Sequence, residues 1–211
     1  MNDELRSTII KQLLELEAVS ISPNQPFTYA SGMKSPIYTD LRMTISMPAL
    51  RDNIVKGLSA EIKAAYPNAT VIGGVATAGI PHAAWVAEEL GLPLIYVRSK
   101  PKDHGAGKQI EGQLKVDDQV VLIDDLISTG GSVLKAVEAV RKANIDVIGV
   151  ASIFSYGLPD ATKNFADQNT KLLSLLNYNQ MVDYLQSSKA LDADEVQSAK
   201  DWHQDPWNWK K

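Results

Sequence analysis

No cysteine occurs anywhere in the 211 residues. Disulfides, a thiolate nucleophile and cysteine-ligated zinc are therefore excluded. No apolar run approaches the ~18 residues that span a bilayer. The charged start, MNDELRSTIIKQ, has no apolar leader segment, so the expected compartment is the cytoplasm, with no membrane partner. An excess of positive charge is missing too. The formal net charge is −4, which gives no support to nucleic-acid binding. There is no GxxxxGK[ST] phosphate loop and no dinucleotide GxGxxG; Gly105-Ala106-Gly107 lacks the third glycine and does not follow a strand directly. What is left is an ordinary globular composition, 45% hydrophobic and 22% charged, on a chain long enough for one domain with a proper core.

The stretch that organises the chain is Gln119–Ser132, QVVLIDDLISTGGS. Its apolar run Val120–Ile123 reads as a buried parallel strand, and it meets an abrupt acid pair, Asp124 and Asp125. The turn Ser128-Thr129-Gly130-Gly131-Ser132 contains only small side chains, and a helical pattern, Val133, Leu134, Val137, Val140, follows. Small residues let backbone N–H groups converge at a helix N-terminus, where the partial positive charge favours a phosphate. The acids can accept hydrogen bonds from sugar hydroxyls. Together they suit a phosphorylated ribose. The alternative is a strand with a polar end and a Ser/Gly turn that merely caps a helix.

In chain order, Leu5, Ile9, Leu13, Leu14 and Leu16 give residues 3–18 a helical face, and 22–26 is a loop. Phe27–Ser31 and Pro36–Leu41 read as two short strands of a hairpin-like flap. Pro48–Ala65 is a helix, with Pro48 in its first turn and Leu50, Ile54, Leu58 and Ile62 four apart. From residue 70 the pattern becomes strand–turn–helix: strand Thr70–Val75, turn Ala76–Gly79, helix Ile80–Leu90, strand Pro93–Arg98, and the polar segment Ser99–Gly112. The central strand and its helix cover 119–143. Strand Asp146–Phe154, helix Leu158–Gln168, strand Thr170–Leu176 and further helices follow. This alternation predicts an α/β fold, a mainly parallel sheet flanked by helices. Ligands in such sheets bind beyond the carboxyl ends of the strands.

Three segments leave those ends: Ala76–Gly79, Ser99–Gly112 and Asp124–Ser132. The small residues from Gly73 to Gly79 suit either a second anion or close helix–sheet packing. Arg98 to Lys108 holds five potential cations, Arg98, Lys100, Lys102, His104 and Lys108, and almost nothing that could pack in a core. It reads as a lid over a polyanion or as a solvated loop. His82 has apolar neighbours and is expected to pack or cap, and Trp85 is expected in the core. The tail from Asp201 to Trp209 suits base stacking or wrapping back onto the domain or a partner chain.

At these residues the chain becomes familiar. VVLIDDLISTGGS resembles the phosphoribosyl-diphosphate (PRPP) motif of type I phosphoribosyltransferases. YVRSKPKDHGAGKQIEG, 96–112, resembles the catalytic loop of the orotate phosphoribosyltransferase family, and FTYASGMKSPIYTDLR, 27–42, is similar to its orotate-side flap. The resemblance covers about residues 5–180, with the motifs in the family's order. It implies a type I phosphoribosyltransferase-like fold with a small N-terminal flap or hood (residues 1–45), a core at 46–180, and C-terminal helices with a Trp-containing tail at 181–211 in the same domain.

It also implies transfer of phosphoribosyl from PRPP to orotate, giving orotidine 5′-monophosphate and diphosphate, a step of pyrimidine nucleotide synthesis. Asp124 and Asp125 would hold the ribose hydroxyls, and Leu126, Ile127, Ser128, Thr129, Gly130, Gly131 and Ser132 would complete the PRPP cradle, with Ser128 also near orotate. Arg98, Lys102 and His104 would be catalytic at the diphosphate, reaching it across a homodimer whose loop 99–112 is shared. Mg²⁺ would be bound mainly through PRPP, with no dedicated protein metal site. Ala30 and Ala78 stand where many members have lysine, and Ser155-Tyr156 where some have arginine, so Lys34, Arg42 or Lys100 are candidates for the missing charge. Other bases as acceptor, or a PRPP-sensing regulator of the same fold, are the alternative readings.

Overall fold

The computed structural model describes residues 1–29, 31–101 and 109–210. The elements are α1 (Asp3–Glu15), β1 (Val19–Ile21), β2 (Phe27–Thr28), β3 (Lys34–Ser35), β4 (Ile37–Thr39), a 3₁₀ turn at Leu41–Ser46 and α2 (Pro48–Ala65). Then come β5 (Val71–Val75), α3 (Gly79–Leu90), β6 (Leu94–Val97), β7 (Ile110–Glu111), β8 (Gln119–Ile127) and α4 (Gly131–Lys142). The chain continues with β9 (Asp146–Ser155), α5 (Pro159–Asp167), β10 (Leu172–Asn177), α6 (Tyr178–Ser187) and α7 (Ala193–Gln204).

Six strands form the central sheet in the order β10-β9-β8-β5-β6-β7, parallel except for β7 at the edge. The expected α/β class is therefore found. The centre of the sheet is buried on both faces because its strands carry long apolar runs: all five residues of β5 are buried, as are Val120 to Ile123 of β8. On one face lie α1, α2, α3, α6 and α7, contributing Ile9, Leu13, Ile54, Leu58, Met181 and Trp202. On the other, α4 and α5 contribute Val133, Val137, Val140 and Phe165.

The flap differs from expectation. Its two strands do not pair with each other across Gly32. Phe27 and Thr28 pair with Ser35 and Lys34, whereas Ile37–Thr39 pairs with Val19–Ile21, a strand too short to show in the sequence. Pro36 separates the two partnerships: with no N–H it donates to neither ladder, although its carbonyl accepts from Ser22. The first helix also ends at Glu15 rather than at 18, and Glu17 takes a positive φ of 57°.

Glycine pattern 73–79 turns out to serve packing. A Cβ on Gly73 would sit 2.6 Å from Leu122 Cδ2, one on Gly74 2.7 Å from Ile80 Cα, and one on Gly79 2.2 Å from the Ile123 carbonyl oxygen. The last contact is with backbone of the central strand, which cannot move aside. Gly79→Ala should destabilise the protein by about 1–3 kcal/mol, the range for core overpacking. Urea unfolding measures it, and a loss under about 0.5 kcal/mol, the scale of ordinary surface substitutions, would contradict the close approach.

Candidate active site

Beyond the carboxyl ends of β5 and β8 lies a cavity of about 400 Å³, within the ordinary range for small-molecule sites. Its wall on the flap side is Tyr38, Thr39, Asp40, Leu41 and Arg42; opposite are Ala76, Thr77 and Ala78, with Asp124, Asp125, Leu126 and Ser132 between. The sheet order explains the convergence, because β5 and β8 are neighbours and their outgoing turns open side by side.

The acids lie inside β8 rather than after it. The ladder to β9 runs on through Asp124 opposite Ser152, Leu126 opposite Phe154 and Ile127 opposite Ser155. This extension runs past the last β5 partner at Ile123, so the carboxylates sit on a strand segment held by β9 alone, with the β5 side open to the cavity. Asp124 is buried, and its Oδ1 accepts from the Asp125 N–H at 3.0 Å; Asp125 Oδ1 accepts from the Leu126 N–H at 2.9 Å. Burial, joined by the neighbouring Asp125 charge, pushes the Asp124 carboxyl up to about 7, while the Arg42 guanidinium works the other way. A carboxylate poised there gains from any ligand that brings hydroxyl donors or a cation.

The two small-residue turns each deliver an uncapped helix start. The N-cap of α4 is Gly130, at φ +80°, and no side chain caps the helix; Ser132 in its first turn lines the cavity. First-turn N–H groups without intrahelical partners are an anion site in waiting. Packing behind the turn holds it in shape: the Asn164 amide donates to the Thr129 carbonyl at 2.9 Å, and a Cβ on Gly130 would meet Phe165 at 2.6 Å. Sequence reading missed Asn164 and Phe165, since only the tertiary return of α5 reveals them. The N-terminus of α3 also has no side-chain cap, and its N-cap residue Ala78 lines the same cavity. The Ala76–Thr77 peptide is cis.

Of the expected PRPP residues, the structure brings Asp124, Asp125, Leu126 and Ser132 to the cavity. Ser128 and Thr129 are half-buried in the adjoining turn, Gly130 is buried and Gly131 exposed. The side chain of Ile127 is in the core, leaving only its backbone to the site, and its carbonyl accepts from the Tyr156 N–H. Arg98 directly follows β6: its N–H donates to the Gln109 carbonyl at 2.9 Å, and its guanidinium lies 3.8 Å from Glu111. Lys102 and His104, like Ala30, lie outside the described residues. His82 is fully buried beneath the 3₁₀ turn, its Nε2 3.5 Å from Thr44 Oγ1 and its ring edge-on to Trp85; burial lowers its pKa to about 4. Trp85 is only half-buried, with the Arg51 guanidinium 4.7 Å over its ring, so the expectation of a core tryptophan is corrected.

Comparison with known proteins places this arrangement. The family model described as phosphoribosyl transferase domain matches residues 48–184. A protein of Lactobacillus johnsonii named orotate phosphoribosyltransferase is 58% identical over 206 residues, covering 98% of this chain and 97% of that protein. One of the same name from Lactiplantibacillus plantarum is 57% identical, again over 98% and 97%. Among solved structures, the orotate phosphoribosyltransferase of Aeropyrum pernix superposes with a TM-score of 0.75 at 27% identity, covering 87% of this chain and 99% of that one. Leishmania donovani UMP synthase gives 0.77 at 27% identity, with 93% of this chain covering 41% of that longer one.

Proposed function

The chain belongs to the orotate phosphoribosyltransferases of the phosphoribosyl transferase domain family, and from that premise we propose how its own residues carry the transfer from PRPP to orotate. The observation that supports the reading best is an acid pair, buried Asp124 and half-buried Asp125, sharing one cavity with the uncapped starts of α3 and α4. The acids accept hydrogen bonds from the two ribose hydroxyls. The turn Ser128–Ser132 takes the 5′-phosphate on backbone N–H groups, and Ala76–Gly79 takes the diphosphate in the same way. The flap, with Tyr38 and Thr39 on the cavity wall, covers the orotate side.

In the reaction the bond from C1′ to the diphosphate oxygen breaks, with its electron pair leaving on the diphosphate, and orotate N1 bonds to C1′ as its N–H bond breaks, the proton passing to the departing diphosphate or to water. Positive charge develops on the ribose and negative charge on the leaving group, so cations at the diphosphate act more on the transition state than on the ground state. Arg98, at the base of the loop 99–112, and Lys102 and His104 within it are those cations, and they come from the partner subunit in a homodimer. The 3.8 Å pair of Arg98 with Glu111 joins part-exposed groups. Such pairs are worth ~1 kcal/mol or less, so the guanidinium can leave it for a polyanion.

Asp124 and Asp125 offer hard oxygen donors of the kind Mg²⁺ accepts, and they are the residues that would meet a Mg²⁺ carried in by PRPP. Such an ion, when bound, would supply positive charge toward the diphosphate. The activity is assigned to the cytoplasm; among the described residues no helix is long and apolar enough to cross a membrane.

Purified protein given PRPP and Mg²⁺ should consume orotate, followed by its ultraviolet absorbance, and adenine, hypoxanthine and uracil should be poor acceptors. Turnover of any of those three with none of orotate would overturn the reading.

A further inference from the structure

The flap that walls the cavity is poorly held by its own hydrogen bonds. One ladder is two residues long and the other three, and ribbons of that size are marginal in isolation. Its position must come from what it leans on, and that support comes from the end of the chain. Trp202 of α7 is fully buried and donates its indole N–H to the carbonyl of Lys34 in β3 at 3.0 Å. Its ring also meets Tyr156 edge-on, with centroids 6.1 Å apart. The neighbouring His203 stacks on Tyr178 at 5.2 Å, and its Nε2 lies 2.9 Å from the Tyr156 carbonyl, which can only accept, so that nitrogen carries the proton.

Tyr156 is the hinge pin of this arrangement. It follows the carboxyl end of β9, and its hydroxyl lies 2.7 Å from Thr39 Oγ1, a residue of the cavity wall. Its ring stacks on Tyr29 at 6.3 Å. Tyr29 in turn donates to the Ile37 carbonyl at 2.7 Å and accepts from Ser35 at 3.0 Å, which joins the two flap ladders. A continuous set of contacts therefore runs from α7 through Tyr156 to Thr39.

We propose that Tyr156, Trp202 and His203 are positioning residues for the acceptor base: they set the height of the flap over the ribose site without touching either substrate. The inference rests on the reading of the flap as the orotate side. Its one link to the PRPP half is the backbone bond from the Tyr156 N–H to the Ile127 carbonyl, which a change of the Tyr156 side chain leaves in place.

Tyr156→Phe and Trp202→Phe remove the hydroxyl and the indole N–H while keeping an aromatic ring. Each should raise the KM for orotate about five- to tenfold, because small displacements of positioning groups have large kinetic effects, and leave the KM for PRPP within twofold. Each should also speed tryptic cleavage after the exposed Lys34, followed by mass spectrometry of the folded protein. If Trp202→Phe fails to fold, Tyr156→Phe, which keeps the stacked ring, decides alone. Cleavage and orotate KM both within twofold of the parent would overturn the proposal. Faster cleavage with an unchanged orotate KM would show that the flap is held as inferred but does not serve orotate, which would overturn the reading of the flap instead and the proposal with it.

Discussion

Asp124→Asn should give a protein that melts later than the parent at pH 8 and binds PRPP about 10- to 100-fold more weakly. Burial and the Asp125 charge raise the folded-state pKa of Asp124 from 3.8 to about 7. A carboxyl raised in the folded state stabilises the fold fully below its unfolded pKa, and that contribution is lost as pH rises through about 7. At pH 8 the parent therefore holds a buried charge beside another of the same sign. Asparagine has the same shape and no charge, so the substitution relieves the repulsion there and changes little at pH 4. One pKa unit corresponds to about 1.4 kcal/mol, and for a chain of this size each kcal/mol moves the melting point by about 2–4 °C. Binding suffers because charge-assisted bonds to the ribose hydroxyls, each about 1.5–3 kcal/mol, become neutral ones. Melting curves at pH 4 and pH 8, with PRPP titrations at pH 8, check both halves. A lower melting point at pH 8 would mean the carboxylate is a structural asset rather than a strain held for the ligand.

The second large effect is recovery of activity by mixing two nearly inactive proteins. Lys102→Ala should damage the diphosphate end of the reaction and Asp125→Asn the ribose pocket. With the loop shared across a two-fold dimer, a mixed dimer has one site with both defects and one with neither. Equal amounts reassort to about half mixed dimers, so roughly a quarter of all sites become native. A loop that closes over its own chain's pocket leaves one defect in every site, and mixing then restores nothing. Co-refolding, with mixed dimers confirmed by mass spectrometry and orotate consumption as the assay, separates the two outcomes.

What made the centre of this molecule legible was the coincidence of several local signals at one place. Val120–Ile123, two acids and a run of small residues each restrict the backbone or the burial, and all agree on a strand that opens into a helix start. The family resemblance then supplied the chemistry. Signals failed where an element is defined by its partner rather than by itself. Val19–Ile21 is a strand only because Ile37–Thr39 lies beside it, and Ile110–Glu111 only because Tyr96 and Val97 do. The glycines at 73, 74 and 79 fitted an anion site and a packing surface equally well; the distance to the Ile123 carbonyl oxygen, 2.2 Å from a Cβ on Gly79, shows that packing accounts for the glycine there, while Ala76–Ala78 line the cavity. Trp85 and Trp202 show the same limit. Both sit in helices of mixed pattern, yet one is half-buried under Arg51 and the other is entirely enclosed, and that difference lies in which elements pack over them.

The bonds that hold the flap span almost the whole chain. Lys34 meets Trp202 across 168 positions, Asn24 meets Glu195 across 171, and Pro23 meets Lys210 across 187. Contacts of such separation close late, because the intervening chain must first be ordered. During synthesis the flap emerges early and then waits for its anchor. At ~5–20 residues per second, the ribosome needs roughly ten to thirty seconds to make the intervening stretch. In that interval the sheet can assemble strand by strand while the wall beside it has nothing to rest against. The flap wall of the cavity is thus the last part of the molecule to be finished, completed only when the helix bearing Trp202 has left the ribosome.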